Sequence, residues 1–119
     1  MALHNQFGKQ AEDLAVQFFK ELGYEVLFRN WRHSHYEIDI IACKEGMLHF
    51  IEVKARQSAE FAYPEHNYSV KKFQSMVKAA DEFLFQHPGY IQVQYDILSI
   101  TLVKQQPPEY FLIEDISPP

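Results

Sequence analysis

The sequence is poor in the residues that build special architectures. One cysteine, Cys43, cannot form an intramolecular disulfide framework, so the fold must rest on a hydrophobic core. Four glycines and six prolines in 119 residues, against ten phenylalanines and seven tyrosines, exclude collagen-like, low-complexity and disordered classes. No apolar stretch approaches the ~18 to 20 residues needed to span a bilayer, and no basic segment followed by an apolar one opens the chain. These absences predict a cytoplasmic protein with no membrane partner. At this length one domain is expected, covering residues 1–119, with residues 115–119 frayed.

Positive charge is also scarce: eleven Lys and Arg face sixteen Asp and Glu, for a net charge of −5. That balance speaks against a polyanion partner held by bulk attraction. Its distribution speaks less strongly. Residues 1–28 hold two basic and four acidic groups, residues 29–78 eight and six, and residues 79–119 one and six. The middle of the chain is therefore its basic part.

Apolar residues Phe7, Ala11, Leu14, Ala15, Phe18, Phe19 and Leu22 recur at helical spacing and predict a first helix over 6–22, ended by Gly23. Glu12 falls at the margin of that stripe, facing a groove. An extended segment over 24–32 follows, then two strands, 36–43 and 48–56, around a turn. If Glu45-Gly46 is a two-residue hairpin loop, Asp39 lies opposite Glu52 and Glu37 opposite Lys54. Period-2 alternation then puts Glu37, Asp39, Ile41, Leu48, Phe50, Glu52, Lys54 and Arg56 on one face, with Ile38, Ile40, Ile51 and Val53 on the other. Beyond a polar loop over 57–67, Ser69 is placed to cap a second helix that ends at Pro88-Gly89. Two strands, near 91–103 and 110–113, complete an αβββαββ order: an α/β fold whose mixed central sheet is flanked by helices.

Asp39, Glu52 and Lys54 form a D…E-x-K pattern. Two carboxylates on neighbouring strands repel unless a cation sits between them, and oxygen ligands suit Mg²⁺, with Mn²⁺ as a substitute. Such an ion activates water and offsets phosphate charge, while a lysine orients the water or the phosphate. Taken alone, the pattern is more often a solvated sheet face, and a Glu37–Lys54 ion pair is a competing role for Lys54. The partly covered face shared with Leu48 and Phe50 favours the catalytic reading.

Glu12-Asp13-Leu14-Ala15, Gly23-Tyr24, Arg29-Asn30-Trp31-Arg32, Glu37-Ile38-Asp39-Ile40-Ile41-Ala42, Phe50-Ile51-Glu52-Val53-Lys54-Ala55-Arg56, Lys72, Ala79-Ala80 and Tyr95-Asp96 resemble, in order, the YraN-like uncharacterised bacterial protein family. That family looks like a member of the restriction-endonuclease-like PD-(D/E)xK superfamily, similar in layout to archaeal Holliday junction resolvases. The resemblance implies a restriction-endonuclease-like core, Glu12, Asp39 and Glu52 as metal ligands, and Lys54 as the catalytic lysine. Tyr36 and Ala11 stand where the family tends to carry glycine, and Ile38 occupies the motif's proline position. The implied activity is Mg²⁺-dependent cleavage of branched or junction DNA in repair or recombination. A noncatalytic nucleic-acid-binding module keeping the same fold is the alternative. Arg29, Arg32, Arg56, Lys71, Lys72 and Lys78 are candidates for phosphate contacts and Trp31 for base stacking, although a lone Trp is more often a packing residue. Because one site per chain cuts one strand, cutting both arms of a junction calls for a homodimer.

Overall fold

The computed structural model describes residues 2–57 and 70–117. The polar loop over 57–67, apart from Gln57, and the Ser69 cap lie outside the described residues. Helix α1, Ala2–Glu21, buries Ala11, Ala15, Val16 and Phe19 along one stripe. It stops where glycine permits. Gly23 adopts φ +91°, its N–H donates to the Lys20 carbonyl at 3.0 Å, and the Tyr24 N–H donates to the Phe19 carbonyl at 3.0 Å, the paired bonds of a Schellman motif. Leu22, expected on the buried stripe, is 45% exposed because it falls in this turn, after the helix has ended.

Strands β1 (Glu25–His33), β2 (Tyr36–Lys44) and β3 (Met47–Arg56) are followed by α2 (Val70–Gln86), β4 (Val93–Thr101) and β5 (Glu109–Ile113). The five strands lie side by side in chain order. All neighbours are antiparallel except β3 and β4, the parallel pair that α2 connects. Each face of the sheet carries one helix. Ile40, Ala42, Ile51, Leu98 and Ile100 pack with α1, whereas Ile38, Ile41, Leu48 and Phe50 pack with Phe73, Met76 and Phe83 of α2. This is the α/β, restriction-endonuclease-like arrangement expected, with a mixed sheet between helices. Strand β4 is shorter than the 91–103 expectation, and Ile91 is 93% exposed before it begins. The tail is held through Ile116, since Asp115 N–H donates to Asp96 Oδ1 at 2.9 Å and Ile116 N–H to the Tyr95 carbonyl at 2.8 Å. Among the described residues no helix is long and apolar enough to cross a membrane.

The β2–β3 hairpin has the expected register: Lys44 pairs with Met47, and Glu45 and Gly46 both have positive φ, as a type I′ turn requires. The ladder stops at Ile40–Ile51. Beyond it, β2 continues with β1 through Trp31–Ile38 and Arg32–Glu37, and β3 continues with β4 through Arg56–Thr101. The sheet therefore forks between β2 and β3, and the expected Asp39–Glu52 and Glu37–Lys54 ladder pairs do not form.

The fork also corrects the face assignment. Ile38 packs on the α2 side with Ile41, and Ile40 packs on the α1 side, so strict alternation fails between Ile38 and Ile40. Asn30, between the Arg29–Ile40 and Trp31–Ile38 pairs, has φ 52°, which breaks the pleat of β1 at the same level. Asp39 is turned toward α1. Glu52 and Lys54 keep the regular phase of β3 and stay on the α2 side.

Candidate metal and nucleic-acid site

Glu52 lies at the fork on the central strand and is only 3% exposed. Lys54 Nζ stands 3.4 Å and Lys72 Nζ 3.5 Å from its Oε2. Both contacts are charge pairs outside good hydrogen-bond geometry, and neither carboxylate oxygen has a hydrogen-bond partner among the described residues. A buried carboxylate is normally satisfied by two or more donors, because desolvating it without them is costly. Glu52 is the exception. Lys54 pairs with this carboxylate, and Glu37 is met instead by Arg32 at 3.5 Å, so the anticipated Glu37–Lys54 bridge is replaced by two others.

Asp39 uses the gap that the fork opens. With the ladder ended, Val53 N–H has lost its strand partner and donates to Asp39 Oδ2 at 2.7 Å. Burial raises the Asp39 pKa from 3.8 to about 6; the Val53 hydrogen bond and Lys72 oppose the rise, while Glu37 and Glu52 add to it. Asp39 lines a cleft of about 540 Å³ with Phe7, Gly8, Ala11 and Glu12 of α1, Val53 and Ala55 of β3, Gln57, and Lys72 of α2. Glu52 is not in that lining. Lys72 stands between it and the cleft.

Glu12 reaches the cleft as its place on the helical stripe anticipated, but it is already engaged. Asn30 Nδ2 donates to Glu12 Oε1 at 3.0 Å, and Arg29 lies 3.8 Å from the same oxygen while bonding Asp13 Oδ1 at 2.8 Å. Arg29 lowers the pKa of Asp13. Among the described residues no group of three His, Cys, Asp or Glu side chains converges as a metal cluster. Glu12, Asp39 and Glu52 thus border one fork without meeting at one point.

The remaining candidates divide. Lys72, one of the six candidates for phosphate contacts, stands beside Glu52 in the site. Arg56 Nε donates to Thr101 Oγ1 at 3.3 Å across β3 and β4, and Arg32 is largely solvated beside Glu37. Trp31 is half-buried, its ring edge-on to Phe83 at 5.4 Å, in the packing role that its rarity suggested. Asn30 was missed as a site residue. The available signal was its placement in a β-forming run, since Asn is the residue after glycine that best tolerates positive φ.

The model of the uncharacterised protein family UPF0102 matches residues 11–100. A UPF0102 protein of Bacteroides thetaiotaomicron is 40% identical over 100 residues, spanning 84% of this chain and 83% of its own. One of Flavobacterium psychrophilum is also 40% identical over 100 residues, covering 84% of both chains. One of Phocaeicola vulgatus is 37% identical over 116 residues, covering 98% of this chain and 93% of its own. The R-N-W-R segment, whose Arg29 and Asn30 contact Glu12, and the E-I-D and E-V-K segments that border the fork all fall within the matched span, and the chain belongs to the UPF0102 family.

Proposed function

We propose that the protein is a divalent-metal-dependent endonuclease acting on branched or junction DNA. The observation that carries this reading is Glu52, a buried carboxylate with two lysines beside it and, among the described residues, no hydrogen bond to either oxygen. Such a group fits a hard cation, because oxygen donors freed of water and of protein N–H groups are what Mg²⁺ or Mn²⁺ takes. Glu52 and Asp39 would hold the ion, with Glu12 reaching it directly or through water. When bound, the ion lowers the pKa of a water and offsets charge on the scissile phosphate.

The chain's own residues supply the rest. Lys54 Nζ has three N–H donors and no acceptor, so it orients a water or a phosphate oxygen without removing a proton. Asp39, with a pKa of about 6, is mostly ionised above that pH and becomes a ligand there. The cleft lined by α1, the β2–β3 fork and Lys72 is where a nucleic-acid backbone would lie in this reading. The net charge of −5 favours recognition through shape and metal over bulk attraction. Cutting both arms of a junction would call for two copies of the chain.

Cleavage of branched, flapped and single-stranded DNA and of RNA, each with Mg²⁺, Mn²⁺ or EDTA, tests the reading. Branched DNA is expected to be cut with either metal and not in EDTA, and Asp39→Asn or Lys54→Ala is expected to slow cutting roughly 100- to 10,000-fold. Unchanged cleavage in both variants would remove the assignment. A noncatalytic nucleic-acid-binding module is the second reading. It is favoured by the protein donors already on Asp39 and Glu12. It requires salt-dependent binding that is indifferent to metal and to Lys54.

A further inference from the structure

We propose that the tip of the β1–β2 hairpin is a stacking platform for an unpaired DNA base, with the His35 ring receiving the base and Lys78 meeting its phosphate. This rests on the nucleic-acid part of the reading above and not on the metal. The tip is a two-residue turn, Ser34-His35, closed by the His33–Tyr36 pair. Tyr36 is anchored, because its ring packs on the core beneath α2. His35 is exposed and lies against that ring, with centroids 4.2 Å apart and planes 40° from parallel. Ser34 Oγ stands 3.2 Å from His35 Nδ1 and limits rotation of the imidazole. Among the described residues the imidazole has no other partner, so a positioned ring is left facing solvent.

The turn is built at a steric cost. Ser34 has φ 58°, in the left-handed region that glycine enters freely. Serine supplies what glycine lacks there, the hydroxyl that holds the imidazole. A ring already held loses little freedom when a base stacks on it, and every base offers a π-face. Charge at the tip points the same way. Arg32 and His33 each face a carboxylate, Glu37 at 3.5 Å and Glu82 at 3.8 Å. Lys78 is exposed on α2 with its Nζ 5.5 Å from the Tyr36 ring centroid, and no acid is paired with it among the described residues. A planar ring beside an unmatched ammonium fits a nucleotide, which joins a π-face to an anionic phosphate. Tyr36 precedes Asp39 by three residues on β2, roughly 10 Å along the strand, about the rise of three stacked nucleotides. The platform therefore stands beside the fork. A continuous duplex keeps its bases stacked and has none to offer, whereas a branch point does.

The test is binding in EDTA of single-stranded DNA carrying one 2-aminopurine, whose fluorescence falls on stacking, against the matching duplex. Wild type, His35→Ala, His35→Phe, Lys78→Gln and Lys20→Gln are compared; Lys20, in the last turn of α1, reports removal of a charge elsewhere. Wild type and His35→Phe are expected to quench the single strand and not the duplex. His35→Ala is expected to lose the quenching and bind roughly 5- to 150-fold more weakly. Lys78→Gln is expected to bind more weakly with a salt dependence shallower by about one phosphate contact, and Lys20→Gln to match wild type within about twofold. Unchanged quenching and affinity in His35→Ala, or equal losses in His35→Ala and His35→Phe, overturn the platform and leave the nuclease reading standing. No binding of any DNA by wild type at low salt overturns both. Quenching that survives while no DNA is cleaved with either metal supports the platform and removes the nuclease reading.

Discussion

His49 and Glu52 lie three residues apart on β3, both buried, and the protein treats them in opposite ways. His49 Nδ1 is hydrogen-bonded to Asp96 Oδ2 at 2.7 Å, and Asp96 Oδ1 accepts from Gln94 Nε2 at 3.0 Å and Asp115 N–H at 2.9 Å. Tyr24 covers the imidazole edge-on at 4.9 Å. Both oxygens of the buried Asp96 carboxylate accept hydrogen bonds, and the cluster ties β3, β4 and the C-terminal segment together. At the fork, the Glu52 carboxylate has charges nearby and no hydrogen bond among the described residues. Burial of charge is therefore not itself the mark of a functional site. The mark is burial left unsatisfied, because a structure that only had to be stable would have supplied donors or an apolar side chain.

The comparison can be broken most directly by stability. Asp96→Ala leaves His49, Gln94 and the Asp115 N–H without their acceptor and is expected to cost about 3–5 kcal/mol in urea unfolding. Glu52→Gln is expected to cost less than about 1 kcal/mol or to stabilise the metal-free chain, because it removes a desolvated charge that lacks hydrogen bonds. Similar losses in the two variants would erase the distinction.

A second effect comes from pH. Asp39 has a folded pKa of about 6 against 3.8 in the unfolded chain, so between those values the folded state binds more protons. Stability attributable to Asp39 is present below about pH 4, falls as pH rises through 6, and is lost above it. Unfolding of the metal-free wild type should therefore lose roughly 1–2 kcal/mol relative to Asp39→Asn over that interval, after allowance for solvent at the cleft mouth. Parallel pH profiles for the two proteins would contradict the burial of this carboxylate.

The smallest effect concerns Asn30. Both Asn30→Gly and Asn30→Ala delete the donor to Glu12, but only alanine is strained at φ 52°. The glycine variant should therefore be about 1 kcal/mol more stable than the alanine variant. Thermal melts giving the reverse order would place the strain elsewhere.

Much of the fold was legible because it depends on periodicity and turn chemistry. The α1 stripe, the Glu45-Gly46 turn and the β2–β3 register as far as Ile40–Ile51 follow from residue spacing. The fork does not. An alternating pattern carries no sign that a ladder ends after Ile40–Ile51, since β2 remains paired on its other side. Reading the register onward to Asp39–Glu52 put the right residues near one another but Asp39 on the wrong face. Lys72 was invisible as a partner of Glu52 for a different reason: twenty residues separate them in sequence, and only the packing of α2 on the sheet joins them.

By itself the sequence determined the element order, the two apolar faces of the sheet and the chemical inventory of Asp39, Glu52 and Lys54, because these are set by local spacing and side-chain type. Tertiary structure alone decided which carboxylate is left without a hydrogen bond, which lysines stand beside it and which face Asp39 takes. Those outcomes depend on where two strands part and where a helix docks, and both are settled by packing between segments distant in the chain.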